Sequence, residues 1–300
     1  VIRARVAVGS AAVVAVIAGV TLTWLLARPD GPQMSAWADG LALAAVSLLF
    51  GLGMSTVVDV EPSPGVIAVV AALWGALSLI AAWLQVAQRA GIGAFDVGLG
   101  DFTTGVDSGL PVLVCVLGAL IVLGWAWWTT RSSASDNTYV VAAIAAVGIL
   151  IVSITGHAGQ SAWVPLVVAV HALAAAWWVG TIGALIATVR GRGGWARSLP
   201  EFSRRALPVV AVLTVTGVVA ALAEIGVGAQ WWDTGYGRIL VAKLVALAVA
   251  VALARWHRSR WLAKAARHGV DETTSIRNAG VELALLTVVI GLAAGLATTG

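Results

Sequence analysis

Apolar residues in this chain come in long unbroken runs separated by short polar breaks, and that rhythm predicts its elements. Nine runs approach the ~20 residues a helix needs to cross hydrocarbon: residues 6–27, 36–57, 65–88, 110–130, 138–155, 163–189, 202–225, 237–257 and 277–299. None alternates strictly between apolar and polar, so helices are indicated and a barrel is not. Clear breaks fall at Arg28-Pro29-Asp30-Gly31-Pro32, at Glu61-Pro62-Ser63-Pro64-Gly65, and from Arg131 to Asn137. No internal repeat or soluble domain stands out. The predicted fold is an all-α polytopic transmembrane helical bundle of about nine spans, five in residues 1–155 and four in 156–300.

Composition narrows the class further. Sixty per cent of the 300 residues are hydrophobic and 11% are charged, far too little polar surface for a soluble domain of this size. The first run spans rather than being removed, because it lacks a convincing cleavage site. The chain starts at Val1, so a native start upstream is expected. Cys115 is the single cysteine, which excludes an internal disulfide and a thiolate cluster.

The net charge of +4 invites a nucleic-acid reading, but the basic residues sit in loops, where membrane topology explains them. With the N-terminus in the cytoplasm, fourteen fall inside: Arg3, Arg5, Arg131, Arg190, Arg192, Arg197, Arg204, Arg205, Arg255, Arg258, Arg260, Lys264, Arg267 and Arg277. Only Arg28, Arg89 and Arg238 fall outside. That bias predicts N-terminus in and C-terminus out.

The stretch from His157 to Ala184 carries the candidate chemistry. His157 lies in the Gly-flanked turn Gly156-His157-Ala158-Gly159 on the outer side. His171 lies within the sixth span, about 12 Å below its start at Trp163. Beside it Ala172, Ala176, Gly180 and Ala184 recur every fourth residue, forming a ridge that another helix backbone can approach closely. Intramembrane histidines mark functional sites by default, and two in one half of the bilayer suit a metal or haem. The bland alternatives are an interfacial turn histidine and a hydrogen-bonded interhelical one. His257 and His268, in basic surroundings, read as solvated.

Beyond the histidines, the ionisable residues read inside spans are Glu224, Lys243 and Glu282. Glu224 and Lys243 flank the hairpin IGVGAQWWDTGYGR, and Lys243 can snorkel toward Glu224 as an ion pair that locks it. An ion or proton path is the alternative. Glu282 is expected to pair with cytoplasmic arginines. Met34, the outward-facing Asp101 and Glu282 are secondary site candidates. With only Met34 and Met54 as methionines, a Met-rich Cu(I) relay is absent. No nucleophile–base pair or phosphate-cradling loop appears, so no enzyme is predicted.

The motif His171-Ala-Leu-Ala-Ala-Ala-Trp177-Trp-Val-Gly180 resembles a helix of the copper-resistance D (CopD/PcoD-like) membrane family. The likeness continues through Phe202-Ser203-Arg204, Thr216-Gly217-Val218 with Glu224, Tyr236-Gly237-Arg238 with Lys243, and Arg277 to Glu282. It covers about Gly156 to Gly300. The resemblance implies a multi-pass protein of the bacterial inner membrane that handles copper, with His157 and His171 as candidate ligands. Implied partners are the lipid bilayer, the copper ion, and a periplasmic copper chaperone or cytochrome oxidase assembly components. In some relatives a CtaG-like oxidase-assembly domain follows, and this chain stops where it would begin. The alternative is a non-transporting assembly factor or a b-haem protein, for which a Soret band is the discriminating signature.

Overall fold

The computed structural model describes residues 1–105, 109–132, 137–154, 163–262 and 270–299. Its helices are α1 (Ile2–Leu26), α2 (Ala36–Gly53), α3 (Pro64–Ala90), α4 (Leu99–Gly105), α5 (Gly109–Thr129), α6 (Tyr139–Ile154), α7 (Val164–Thr188), α8 (Gly191–Ile225), α9 (Gln230–Asp233), α10 (Gly235–His257) and α11 (Glu272–Ala297). A 3-10 turn spans Ser55–Val58 and a π turn Arg258–Leu262. Among the described residues eight helices are long and apolar enough to cross a membrane, and α6 is a shorter apolar helix. The protein is an all-α multi-pass membrane bundle.

Several boundaries differ from the hydropathy reading: the first and last spans start at Ile2 and Glu272 instead of 6 and 277, and two further shifts bear on the packing. The second span ends at Gly53 and continues as the 3-10 turn, which stops at Asp59 in the left-handed region (φ 57°). More consequentially, α8 starts at Gly191 instead of 202 and absorbs the basic stretch. The cause is amphipathicity: Trp195, Ser198, Leu199 and Phe202 form a buried stripe at helical spacing. The opposite face carries Glu201, whose carboxylate pairs with Arg204 at 2.5 Å and Arg205 at 3.8 Å. A mean-hydropathy window sees only the charges.

The ridge on α7 meets α2. A β-carbon on Gly180 would fall on the carbonyl of Ser47, and one on Gly51 would fall on Gly180 itself. Ala176 and Ala184 on that ridge join the core built from α2, α3, α5 and α6. The other flank of α7, with Trp177, Trp178, Ile182 and Leu185, joins the core built with α8, α10 and α11. α7 is therefore the wall shared by both halves of the bundle. By contrast, α8 and α10 turn broad apolar faces outward, through Leu207, Val215, Val245 and Val249 among others.

Contacts at the helix ends fix which ends lie together. Arg5 reaches the last carbonyls of α7 and Glu272 at the start of α11; we call this the basic end. Arg197 and Asp59, 3.5 Å apart, link the start of α8 to the chain after α2. At the opposite end Arg238 donates to the carbonyls of Leu26 (2.8 Å) and Arg28 (3.0 Å). We expect the basic end to face the cytoplasm. Cysteines placed at exposed Arg192 and Asp233 in a Cys115→Ala background test this: an impermeant thiol reagent should label position 233 and spare 192. The reverse pattern would invert the orientation.

Candidate functional site

His171 projects from the outer flank of α7 onto α8. Its Nδ1 lies 3.1 Å from the carbonyl of Leu213 and 3.3 Å from the Thr216 hydroxyl. The Thr216 hydroxyl is itself committed to the Val212 carbonyl at 2.7 Å. A carbonyl can only accept, so Nδ1 carries the proton and Nε2 is left with the lone pair. This is the tautomer in which metal-binding imidazoles are usually held. Gly217 makes the room: a β-carbon there would sit 2.9 Å from Cε1 and 3.2 Å from Nδ1 of the ring. Lys243 on α10 is the charged neighbour that His171 feels.

His157 lies outside the described residues. Met34 is exposed, its backbone N–H donating to Gln88 Oε1 at 3.3 Å. Asp101 is exposed too, and its carboxylate accepts from the Gly98 N–H at 2.9 Å, holding the start of α4. Neither is brought to His171. Among the described residues no three His, Cys, Asp or Glu side chains cluster as a metal cage.

The expected Glu224–Lys243 pair does not form: among the described residues no ion pair joins them. Glu224 is exposed in the last turn of α8, and Tyr236 is the group that feels its charge. Lys243 is half-buried on α10. The reason lies in the packing, since α8 rests chiefly on α7 while α10 rests chiefly on α11. A hairpin connection does not by itself bring its two helices flush.

Glu282 also differs from expectation. It is buried, 5% exposed, and among the described residues no arginine pairs with it. Its Oε1 accepts from the Trp178 indole N–H at 3.1 Å, and its Oε2 lies 3.3 Å from His257 Nδ1. His257, read from its basic surroundings as solvated, is likewise 5% exposed. Three of the charges around it point away: Arg255 and Arg260 are exposed and Arg258 donates to the Ser203 carbonyl at 2.7 Å. A signal was present in the sequence, because Ala250, His257 and Trp261 follow one helical stripe and all three are buried.

One more carboxylate is not singled out by the sequence pattern. Asp39 sits in the first turn of α2, half-buried, with the side chains of Ser35 and Gln85 facing it. Its place four residues into an apolar run makes it look like a loop residue.

Residues 196–296 match the family model for copper resistance protein D, about a third of the chain. The matched segment contains Leu213, Thr216, Gly217, Lys243, His257 and Glu282; His171 and Trp178 precede it. No curated relative and no solved structure matches. The match associates this multi-pass membrane protein with copper resistance.

Proposed function

We propose that this chain moves or delivers copper across the bacterial inner membrane through the half of the bundle containing His171, as a transporter without catalytic chemistry. The observation that carries the reading is an intramembrane imidazole fixed by the Leu213 carbonyl with Nε2 left as a donor. That imidazole packs on a segment matching a copper-resistance family. His157 is the second ligand in this reading, and copper arrives from a periplasmic donor. Imidazole nitrogens with oxygen donors suit copper in either oxidation state.

Lys243 decides what kind of site this is. Its ammonium repels a cation held at His171. At an effective dielectric near 20, a unit charge in the neighbourhood opposes a bound cation by on the order of 1–2 kcal/mol, about tenfold in affinity. Transit needs binding strong enough to enter and weak enough to leave, so the ammonium favours passage over storage. His171→Ala should abolish His171-dependent copper binding and the cellular copper response while leaving the fold intact. Lys243→Met should tighten copper binding on the order of tenfold. A His157/His171 double alanine variant that binds as many copper ions per chain as the wild type, with unchanged affinity, would overturn this reading.

A further inference from the structure

Away from His171, the side chains of His257, Glu282 and Trp178 form a buried cluster near the basic end. We propose that it is a second binding site, for a soft monovalent metal cation, stacked below His171 along the same face of α7; the choice of ion rests on the copper reading of His171. Four observations support it.

The first is charge. Glu282 is 5% exposed, and among the described residues its partners are the Trp178 indole N–H and the His257 imidazole, with no lysine or arginine among them. The countercharge such a buried carboxylate needs is supplied either by a proton on His257 or by a metal cation bound to that imidazole, and the metal is the reading taken here. One carboxylate supplies one negative charge, which matches a monovalent ion better than a divalent one.

The second is orientation. Glu282 Oε2 faces His257 Nδ1 at 3.3 Å, the arrangement in which a carboxylate holds a histidine so that its other nitrogen can bind metal. Among the described residues no hydrogen bond occupies Nε2.

Surroundings supply the third. The imidazole is flanked by the rings of Trp256 at 5.3 Å and Trp261 at 5.4 Å, the latter edge-on. Trp261 is buried and walls the imidazole with a polarisable ring, while Trp256 lies at the exposed surface of α10. An imidazole donor among polarisable rings therefore selects for soft or borderline metals.

The fourth is alignment. His171 and Trp178 are seven residues apart, two helical turns or about 10 Å along one face of α7. Trp178 hands that face directly to Glu282 through its 3.1 Å hydrogen bond. An ion leaving His171 toward the basic end thus meets Glu282 on the same side of the wall helix. Two turns further along α11, Ser275 holds a buried hydroxyl with no partner among the described residues, a polar stepping point toward the basic end.

The experiment is Ag(I) binding, counted by equilibrium dialysis and elemental analysis on the full chain in lipid nanodiscs. Ag(I) serves as the redox-inert stand-in for Cu(I). His257→Gln keeps an N–H donor for Glu282 but removes the imidazole, and should lose one ion per chain with little change in melting temperature. Glu282→Gln should weaken that same ion at least tenfold. His171→Ala should lose a different ion, so the two losses add. If His257→Gln and Glu282→Gln both bind as many ions as the wild type with unchanged affinity, the second site does not exist. Should His171→Ala cost nothing while His257→Gln still loses an ion, the His171 reading fails and this site stands. Loss of an ion in His171→Ala alone would overturn the second site and leave the His171 reading standing.

Discussion

Gly180→Val should prevent this protein from assembling its bundle, the largest effect expected of any apolar substitution in it. The position lies where α7 crosses α2, and a β-carbon there falls on the Ser47 carbonyl and close to the Gly51 nitrogen. Both are backbone atoms of a packed helix and cannot turn aside as a side chain can. The helices must separate, and in a bilayer there is little hydrophobic force to draw them back, because lipid tails are as apolar as the residues exposed. Overpacking typically costs 1–3 kcal/mol even where side chains can adjust, so a backbone collision at the shared wall should exceed about 3 kcal/mol. Gly183→Ala is the control on the same helix: its added carbon would meet the tip of Leu48, a flexible side chain. Folded yield in detergent and melting temperature measure both. A Gly180→Val protein that melts with the wild type would show that α2 and α7 do not pack through this crossing.

This crossing was legible in the sequence because one signal is local and periodic. Small residues at 172, 176, 180 and 184 announce a close helix approach before the partner is known. The spans were legible for a similar reason: a membrane demands long apolar helices, and their composition shows them. His171 was legible as an imidazole in such a span. Its partners were not, since Leu213 acts through its carbonyl, a group every residue has.

The His257–Glu282 contact failed to show for a different reason. Both residues carry charge or potential charge beside basic loops, so the local pattern points each of them to solvent or to an arginine. Their burial depends on α11 packing against both α10 and α7, which no single segment encodes. The Glu224–Lys243 expectation erred in the converse direction, taking neighbours across a hairpin for neighbours in space. α8 showed that a charged stretch can be helical when its apolar residues keep a 3.6-residue period, as Trp195, Leu199 and Phe202 do.

Arg5 carries the second large effect. Counted by sign alone, it was one of fourteen basic-side charges. In the structure its Nη1 donates to the carbonyls of Ile186 (2.6 Å) and Ala187 (2.7 Å), and its Nη2 to the Val189 carbonyl and to Glu272 Oε1 (2.7 Å). The first two belong to the last turn of α7, where carbonyls lack intrahelical partners and the helix dipole favours a cation. Glu272, at the first position of α11, also accepts from the Gly191 N–H at 2.8 Å, where α8 begins. One guanidinium therefore ties together the ends of α1, α7 and α11 and, through Glu272, the start of α8. Its side chain is 13% exposed, so solvent screens these contacts little. Hydrogen bonds to charged groups contribute about 1.5–3 kcal/mol each, and their losses do not simply add. Arg5→Ala should therefore lower stability by roughly 3–4 kcal/mol, read as a melting temperature several degrees lower in nanodiscs. Arg5→Lys should recover only part, because an ammonium lacks the planar fork that meets several acceptors at once. In an Arg5→Ala, Glu272→Gln cycle the double variant should lose clearly less than the sum of the singles. Strict additivity would mean that Arg5 acts on the α7 carbonyls alone and that the tie to α11 carries no energy.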